Sequence, residues 1–437
     1  MIKKLIFLFF ILACLAFIAG CASDDDAPLK SLGQENDESI DDDTDDDDTV
    51  DDDDDVPDDD ISDDDDDPLL PADPAKRGPF EVGNRTFVFV DESRQCPFAG
   101  GKRTLVVEVW YPATAEAASL PRNTIMDTWA GYEEEAVEAL LNYGVLPSEI
   151  PNFYGETTSA RDASIETAYA PYPLIVYSHG WTNYRTQNFA MSEYLASHGF
   201  IVVASDHPGD TFFTPIPGNL TYWGGGDDPF FFYRSLRLRT GDVHFLVDSF
   251  LELNGDDPNG LLTGMIDTEH IGMIGFSLGG QTVLENASND DRVDAVASLT
   301  SSAFPGGIRD YHASLMFIFG LEDRTLGFEN PLILTQYFAA LPPKFMGVFP
   351  LAGHHCFSDT CLLRPSMGAG DGCGMGNHLF GGGPFEFPSY ETMRAILDPY
   401  LTAFMGCILR NEQHMQTYLQ ENHAPETINW FFEFPNG

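Results

Sequence analysis

From about Pro79 onward, short β-branched and aromatic runs alternate with longer segments whose apolar positions recur every three to four residues. That alternation predicts a parallel sheet whose strands are joined by helices. Candidate strands are Phe87–Val90, Leu105–Tyr111, Leu174–Tyr177, Ile201–Ser205, His270–Ile274, Val293–Leu299, Leu315–Phe319 and Phe345–Phe349. Helical periodicity covers Glu133–Asn142, Gln187–His198, Arg234–Asn254, Gly279–Ala287, Pro331–Leu341 and Ser389–Arg410. The expected architecture is α/β: a mostly parallel eight-stranded sheet flanked by helices, the first two strands forming an antiparallel edge. Residues 115–170 interrupt the rhythm between the second and third strands, and 362–388 form a glycine-rich stretch after the last. Both read as insertions of the lid type.

The region before Pro79 has a different character. Lys3 and Lys4 precede an apolar run from Leu5 to Ile18, too short for a comfortable membrane span and typical of a secretory signal. Ile18-Ala19-Gly20-Cys21 resembles a bacterial lipobox, which predicts a signal peptide over 1–20 and a lipid on Cys21. With Ala22 after it, an outer-membrane or surface position is expected. Asp24–Asp67 then holds 26 acidic residues and one lysine. With so little to bury, residues 21–78 are expected to form an extended, disordered tether. Its Asp runs lack the glycine turn and spaced ligands of an EF-hand loop.

The globular domain is placed at 79–437. Of the chain's net charge of −48, about −25 remains on residues 68–437, which makes nucleic acid a poor partner. Beyond Cys14 and Cys21, the cysteines are Cys96, Cys356, Cys361, Cys373 and Cys407. Export would place them where disulfides persist, one or two bridges being expected, chiefly among Cys356, Cys361 and Cys373. With no C-x-x-C pair, no structural zinc is expected.

Gly275-Phe276-Ser277-Leu278-Gly279 carries the most chemical information in the chain. G-x-S-x-G between a strand and a helix is the nucleophile elbow, a turn so tight that its serine hydroxyl stands exposed and its glycines have no room for a Cβ. A serine nucleophile needs a base, a carboxylate to orient that base, and two N–H groups for the oxyanion. Each has a candidate, in the order Ser, Asp, His. The base is His354 in Ala352-Gly353-His354-His355, with His355 the competitor. The acid is Asp323 in Gly320-Leu321-Glu322-Asp323-Arg324, with Glu322 the alternative. The oxyanion hole should use the amides of Leu278 and of Trp181, in Ser178-His179-Gly180-Trp181. His179 reads as a brace for that loop rather than an acid or base.

The segment Tyr177 to Asp206, with Ser178-His179-Gly180 and Leu195-Ala196-Ser197-His198-Gly199-Phe200, resembles platelet-activating factor acetylhydrolases. Bacterial cutinase-like polyester hydrolases share a similar pattern, and Gly100 to Ala113 resembles dienelactone-hydrolase-like proteins. Together with the elbow and the Ala-Gly-His-His motif, the similarity spans most of 79–410. The resemblance implies an α/β-hydrolase fold and hydrolysis of carboxylic esters without a cofactor. In the platelet-activating factor enzymes the acid follows the sixth strand, where this chain has Leu299-Thr300-Ser301-Ser302. Asp323 matches instead the dienelactone-hydrolase and cutinase-like arrangement, and dienelactone hydrolases proper use cysteine where Ser277 stands.

Three aromatic clusters, Phe212-Phe213, Tyr222-Trp223 and Phe230 to Tyr233, follow the fourth strand; they would line an acyl pocket or pack a long loop onto the body. The reading is a lipid-anchored, monomeric serine esterase acting on short-chain acyl or lipid esters. A cutinase-like hydrolase of polyesters or lipids and a non-catalytic surface binding module are the alternatives.

Overall fold

The computed structural model describes residues 72–97, 100–224, 230–302, 309–327 and 333–435. The signal segment, Cys21 and the Asp runs lie outside the described residues. Residues 72–78, assigned above to the tether, lie against the body. Tyr194 Oη donates to the Pro74 carbonyl at 2.8 Å, and the Gly78 amide donates to Ser197 Oγ at 3.0 Å.

Each candidate strand is present. In chain order they are β1 (Glu81–Gln95), β2 (Lys102–Ala113), β5 (Tyr172–Ser178), β6 (Ile201–Ser205), β9 (Ile266–Phe276), β10 (Val293–Leu299), β11 (Ser314–Gly320) and β12 (Lys344–Phe349). The sheet is larger than expected, with eleven strands among the described residues rather than eight. It adds β3 (Arg122–Thr124), β4 (Glu156–Arg161) and β15 (Asn429–Glu433), in the order β15-β12-β11-β10-β9-β5-β6-β2-β1-β4-β3. Strands β6, β5, β9, β10, β11 and β12 pair in parallel. β1 and β2 are antiparallel, as the sequence suggests, but they are not an edge. The 115–170 insertion lays β4 in parallel on Val82–Asn84 and closes that side with β3.

β5 and β6 are buried along their whole length. A strand covered on both faces reads as an unbroken apolar run rather than an alternating one, which is why these were legible. Two short hairpins stand outside the main sheet, β7 (Phe213–Ile216) with β8 (Asn219–Tyr222), and β13 (Met375–Asn377) with β14 (Pro384–Glu386).

The helices are α1 (Glu133–Tyr143), α2 (Phe189–Ser197), α3 (Phe231–Gly255), α4 (Leu278–Ala287), α5 (Ile333–Ala339), α6 (Thr360–Leu363), α7 (Tyr390–Leu409) and α8 (Gln413–Leu419). α1 stops at Gly144 in the left-handed region, and Ser389 caps α7 by accepting from the Thr392 amide. α7 crosses β9 closely: a Cβ on Gly272 would lie 2.8 Å from Met405 Sδ. Helix α4 packs on β9 and β10, so the turn joining β9 to α4 opens at the carboxyl edge of the parallel strands.

Candidate active site

Ser277 sits at that turn with φ 56° and ψ −120°, a backbone region that costs a non-glycine residue energy. The surroundings enforce it. The Ser277 amide donates to the Leu299 carbonyl at 2.9 Å, and the Ser277 carbonyl accepts from Gly280 at 2.9 Å. The flanking glycines have no alternative, because a Cβ on Gly275 would lie 2.2 Å from the Gly279 carbonyl oxygen and one on Gly279 1.9 Å from that of Ser178. Here the motif's spacing is a steric requirement of strand meeting helix. Leu278 opens α4, so its amide is one the helix cannot use internally.

His354 stands in a short 3-10 turn after β12, and its ring packs on Phe276, the residue before Ser277, at 5.0 Å between centroids. His354 Nδ1 bonds Asp323 Oδ2 at 2.8 Å, both side chains being buried. Burial pushes the Asp323 carboxyl up, but His354 together with donors from the Leu326 amide (2.8 Å) and Thr300 Oγ1 (2.5 Å) holds it below the usual carboxylate range. The Thr300 bond is informative, since that position after β10 is where the sixth-strand acid would emerge. A hydroxyl there reaches across to the carboxylate on the next strand. The competitors face elsewhere. Glu322 accepts from His378 and from the Leu379 amide, each at 2.7 Å. Nδ1 of His355 is buried without a hydrogen-bond partner among the described residues.

The loop after β5 carries Trp181. Within it, the Gly180 amide donates to Gln187 Oε1 at 2.8 Å, and Arg239 donates to the carbonyls of His179 and Gly180. With those groups engaged, the Trp181 amide has no acceptor among the described residues. Thr182 follows at φ 59°, a conformation that is an outlier for a β-branched residue; Tyr143 of α1 holds its hydroxyl. His179 is fully buried, and burial followed by Arg239 holds it neutral, far below its ordinary value. Its Nε2 meets Thr211 Oγ1 at 3.1 Å, so it braces the loop.

The machinery beneath this loop went unnoticed in the sequence. α3 presents Ser235, Arg239 and Asp242 as a buried polar stripe. Arg239 and Ser235 both bond Asp210. Asp242 pairs with Arg103 at 2.5 Å and accepts from His207 at 2.9 Å, while His207 Nε2 reaches Ser178 Oγ at 3.1 Å. The available signal was polar residues at helical spacing on the face that should have been apolar.

The aromatic clusters divide between the two readings given above. Phe212, Phe213 and Phe231 are core residues, whereas Tyr222, Trp223, Phe230 and Tyr233 are exposed. The exposed group adjoins Trp181, itself 43% exposed, through rings about the Phe231 and Phe232 positions at 6.4 and 6.2 Å. Cys361 and Cys373 form a disulfide, and Cys96, Cys356 and Cys407 are free.

Buried imidazoles give the domain an acid liability. Burial, with Arg239 adding to it, pushes His207 down to about 4; burial pushes His198 down to about 4 and, with His354 beside it, His355 down to about 3. An unfolded histidine titrates near 6.5, so between about 6.5 and 4 the unfolded chain takes up the protons and the folded one does not. The stability these groups contribute is complete above 6.5 and is lost as the pH falls through that window. Asp359, raised to about 6 by burial, opposes one of them between about 4 and 6. Thermal melts are therefore expected to fall by roughly ten degrees between pH 7 and pH 4; a flat profile would contradict neutral burial of these rings.

The fold is the α/β-hydrolase fold. A family model described as platelet-activating factor acetylhydrolase, isoform II, matches residues 72–212. That stretch contains Trp181 and ends before Ser277, so it is narrower than the similarity drawn from the motifs. The platelet-activating factor acetylhydrolase of Cavia porcellus is 31% identical over 166 residues, covering 33% of this chain and 38% of that protein. The Bos taurus enzyme is 30% identical over 208 residues, covering 41% and 47%. The chain thus spans less than half the length of the curated relatives it matches. A solved ferulic acid esterase from Streptomyces cinnamoneus superposes with a TM-score of 0.61 at 22% identity, over 80% of this chain and 96% of that one.

Proposed function

We propose that this α/β-hydrolase is a serine carboxylic-ester hydrolase that acts through an acyl-enzyme on short-chain acyl or lipid esters. The observation that carries the reading is the strained Ser277 elbow, with the His354 ring packed on Phe276 directly before it and His354 Nδ1 bound to the buried Asp323 carboxylate. The likeness to platelet-activating factor acetylhydrolases supports an ester as the substrate.

In this reading His354 takes the hydroxyl proton of Ser277 as its Oγ attacks the ester carbonyl. The oxyanion is met by the amides of Leu278 and Trp181. Asp323 holds the imidazole in the tautomer with its proton on Nδ1 and stabilises the imidazolium. Collapse of the tetrahedral intermediate breaks the bond to the alcohol, which leaves with the proton carried by His354. Water then attacks the acyl-enzyme, giving its proton to the same histidine, and the acid departs as Ser277 is restored.

A series of p-nitrophenyl esters of increasing acyl length tests the proposal, with the fluorophosphonate label as a direct probe of the nucleophile. Turnover of the short esters with labelling is the expected result. Absence of both in a folded protein would leave the binding-module reading. The exposed Trp181, Tyr222, Trp223 and Tyr233 favour the cutinase-like reading as the second choice, and long or polymeric esters turning over faster than acetyl esters would select it.

The lipobox motif supports a lipid tether at Cys21 and a position on the outer membrane or cell surface. Metabolic labelling with a fatty-acid analogue in a bacterial host should mark the full chain and be lost in Cys21→Ser; equal labelling of both would remove the tether.

A further inference from the structure

Asp371 lies in the 362–388 insertion, yet its hydrogen bonds run to the two loops that carry Asp323 and His354. Oδ1 accepts from the Arg324 amide at 2.8 Å and from the His354 amide at 3.0 Å. Oδ2 accepts from the Thr325 amide and the Thr325 hydroxyl, each at 2.9 Å, and the Asp371 carbonyl accepts from the His355 amide at 2.9 Å. One residue thus ties the backbone directly after the acid to the backbone of the base. The fit is close: a Cβ on Gly353, just before His354, would lie 2.5 Å from the Asp371 carbonyl carbon. The glycine of the Ala-Gly-His motif is there to admit Asp371.

The Cys361–Cys373 bridge fastens this turn from the other side. It joins α6, which follows the His354 turn, to the residue two beyond Asp371, with Cα atoms 5.4 Å apart. Gly368 closes the turn against Cys373, leaving no space for a side chain. The acid loop is also held by the hairpin of the same insertion, through Glu322 to His378 and Arg324 to the Asn377 carbonyl. The insertion therefore braces the Asp323–His354 pair.

We infer that Asp371 is a positioning residue for the Asp323–His354 hydrogen bond, and that the Cys361–Cys373 disulfide is what keeps it in place. The inference rests on the reading of Ser277, Asp323 and His354 as the catalytic triad. A carboxylate accepting several backbone N–H groups is a stiff joint, and loss of about an ångström in a catalytic distance can cost about 100-fold.

The test compares Asp371→Ala, Asp371→Asn and Cys361→Ser/Cys373→Ser with the parent and with Ser277→Ala. Asp371→Ala should lower kcat by roughly 10- to 100-fold with KM within about twofold. The downfield proton NMR signal of His354 Nδ1–H bonded to Asp323 should broaden or move. Asp371→Asn, which keeps one acceptor oxygen, should fall in between. The double cysteine variant keeps Asp371 and should show the same kcat loss, and mild reduction of the parent should reproduce it reversibly. Should Asp371→Ala fail to fold, the reduction experiment decides. Unchanged kcat and an unmoved His354 signal in folded Asp371→Ala, or in the reduced parent, would overturn the inference. Persisting activity in Ser277→Ala would instead overturn the triad reading beneath it.

Discussion

Ser277→Ala is expected to lower kcat on p-nitrophenyl acetate by roughly 10⁵- to 10⁶-fold and to abolish fluorophosphonate labelling, with little change in melting temperature. The size follows from what is removed. Without Oγ no acyl-enzyme forms, and the residual rate is what the oxyanion amides give to attack by water. Stability should hold because alanine, like serine, must adopt φ 56°. Ser277→Gly should lose the same activity and melt higher, since glycine relieves strain of about 1 kcal/mol or more. An alanine variant retaining more than a thousandth of the parental rate would place the nucleophile elsewhere.

Asp323→Asn is expected to lower kcat by roughly 10³- to 10⁴-fold. An amide in place of Oδ2 would present a donor to His354 Nδ1 and favour the wrong tautomer. Thr300 Oγ1 would meet the same substitution. Glu322→Gln, one residue away, should change kcat by less than about fivefold and act on stability through the His378 and Leu379 contacts. The pair is a sharp comparison because the two carboxylates are adjacent in sequence and serve different partners. A larger loss from Glu322→Gln than from Asp323→Asn would reverse their roles.

The inner strands were legible because burial on both faces writes an uninterrupted apolar run, as in Leu174–Tyr177 and Ile201–Ser205. The strands that escaped are at the sheet's margins. Arg122–Thr124 and Glu156–Arg161 are short and polar; the second is a strand because it has Val82–Asn84 to pair with, and the first because it then pairs with the second. β15 comes from a segment whose apolar run, Trp430 to Phe432, has no local pattern that names its partner β12. At the site, the glycine–serine elbow was readable since its spacing reflects the sterics of strand meeting helix, and the Ala-Gly-His motif as a sequence pattern whose glycine makes room for a residue farther along the chain. Glu322 and Asp323 stayed open because one residue's rotation decides which faces His354. Arg239, Asp242, Thr300 and Asp371 were invisible for a related reason, as their work is defined by partners distant in the chain.

The order of strands in the sheet has a kinetic consequence. β9, which ends at Phe276 just before Ser277, lies between β5 and β10, and its register with β5 sets Leu174 opposite Ile271. The segment between those residues contains the loop that carries Trp181, β6, the β7–β8 hairpin and α3. Closing so long a loop is slow, and it must precede the contacts that reward it. During refolding, helical signal and local hairpins should therefore return before the β5–β9 register does, leaving an interval in which the chain is substantially ordered while the turn that holds Ser277 has not yet been built.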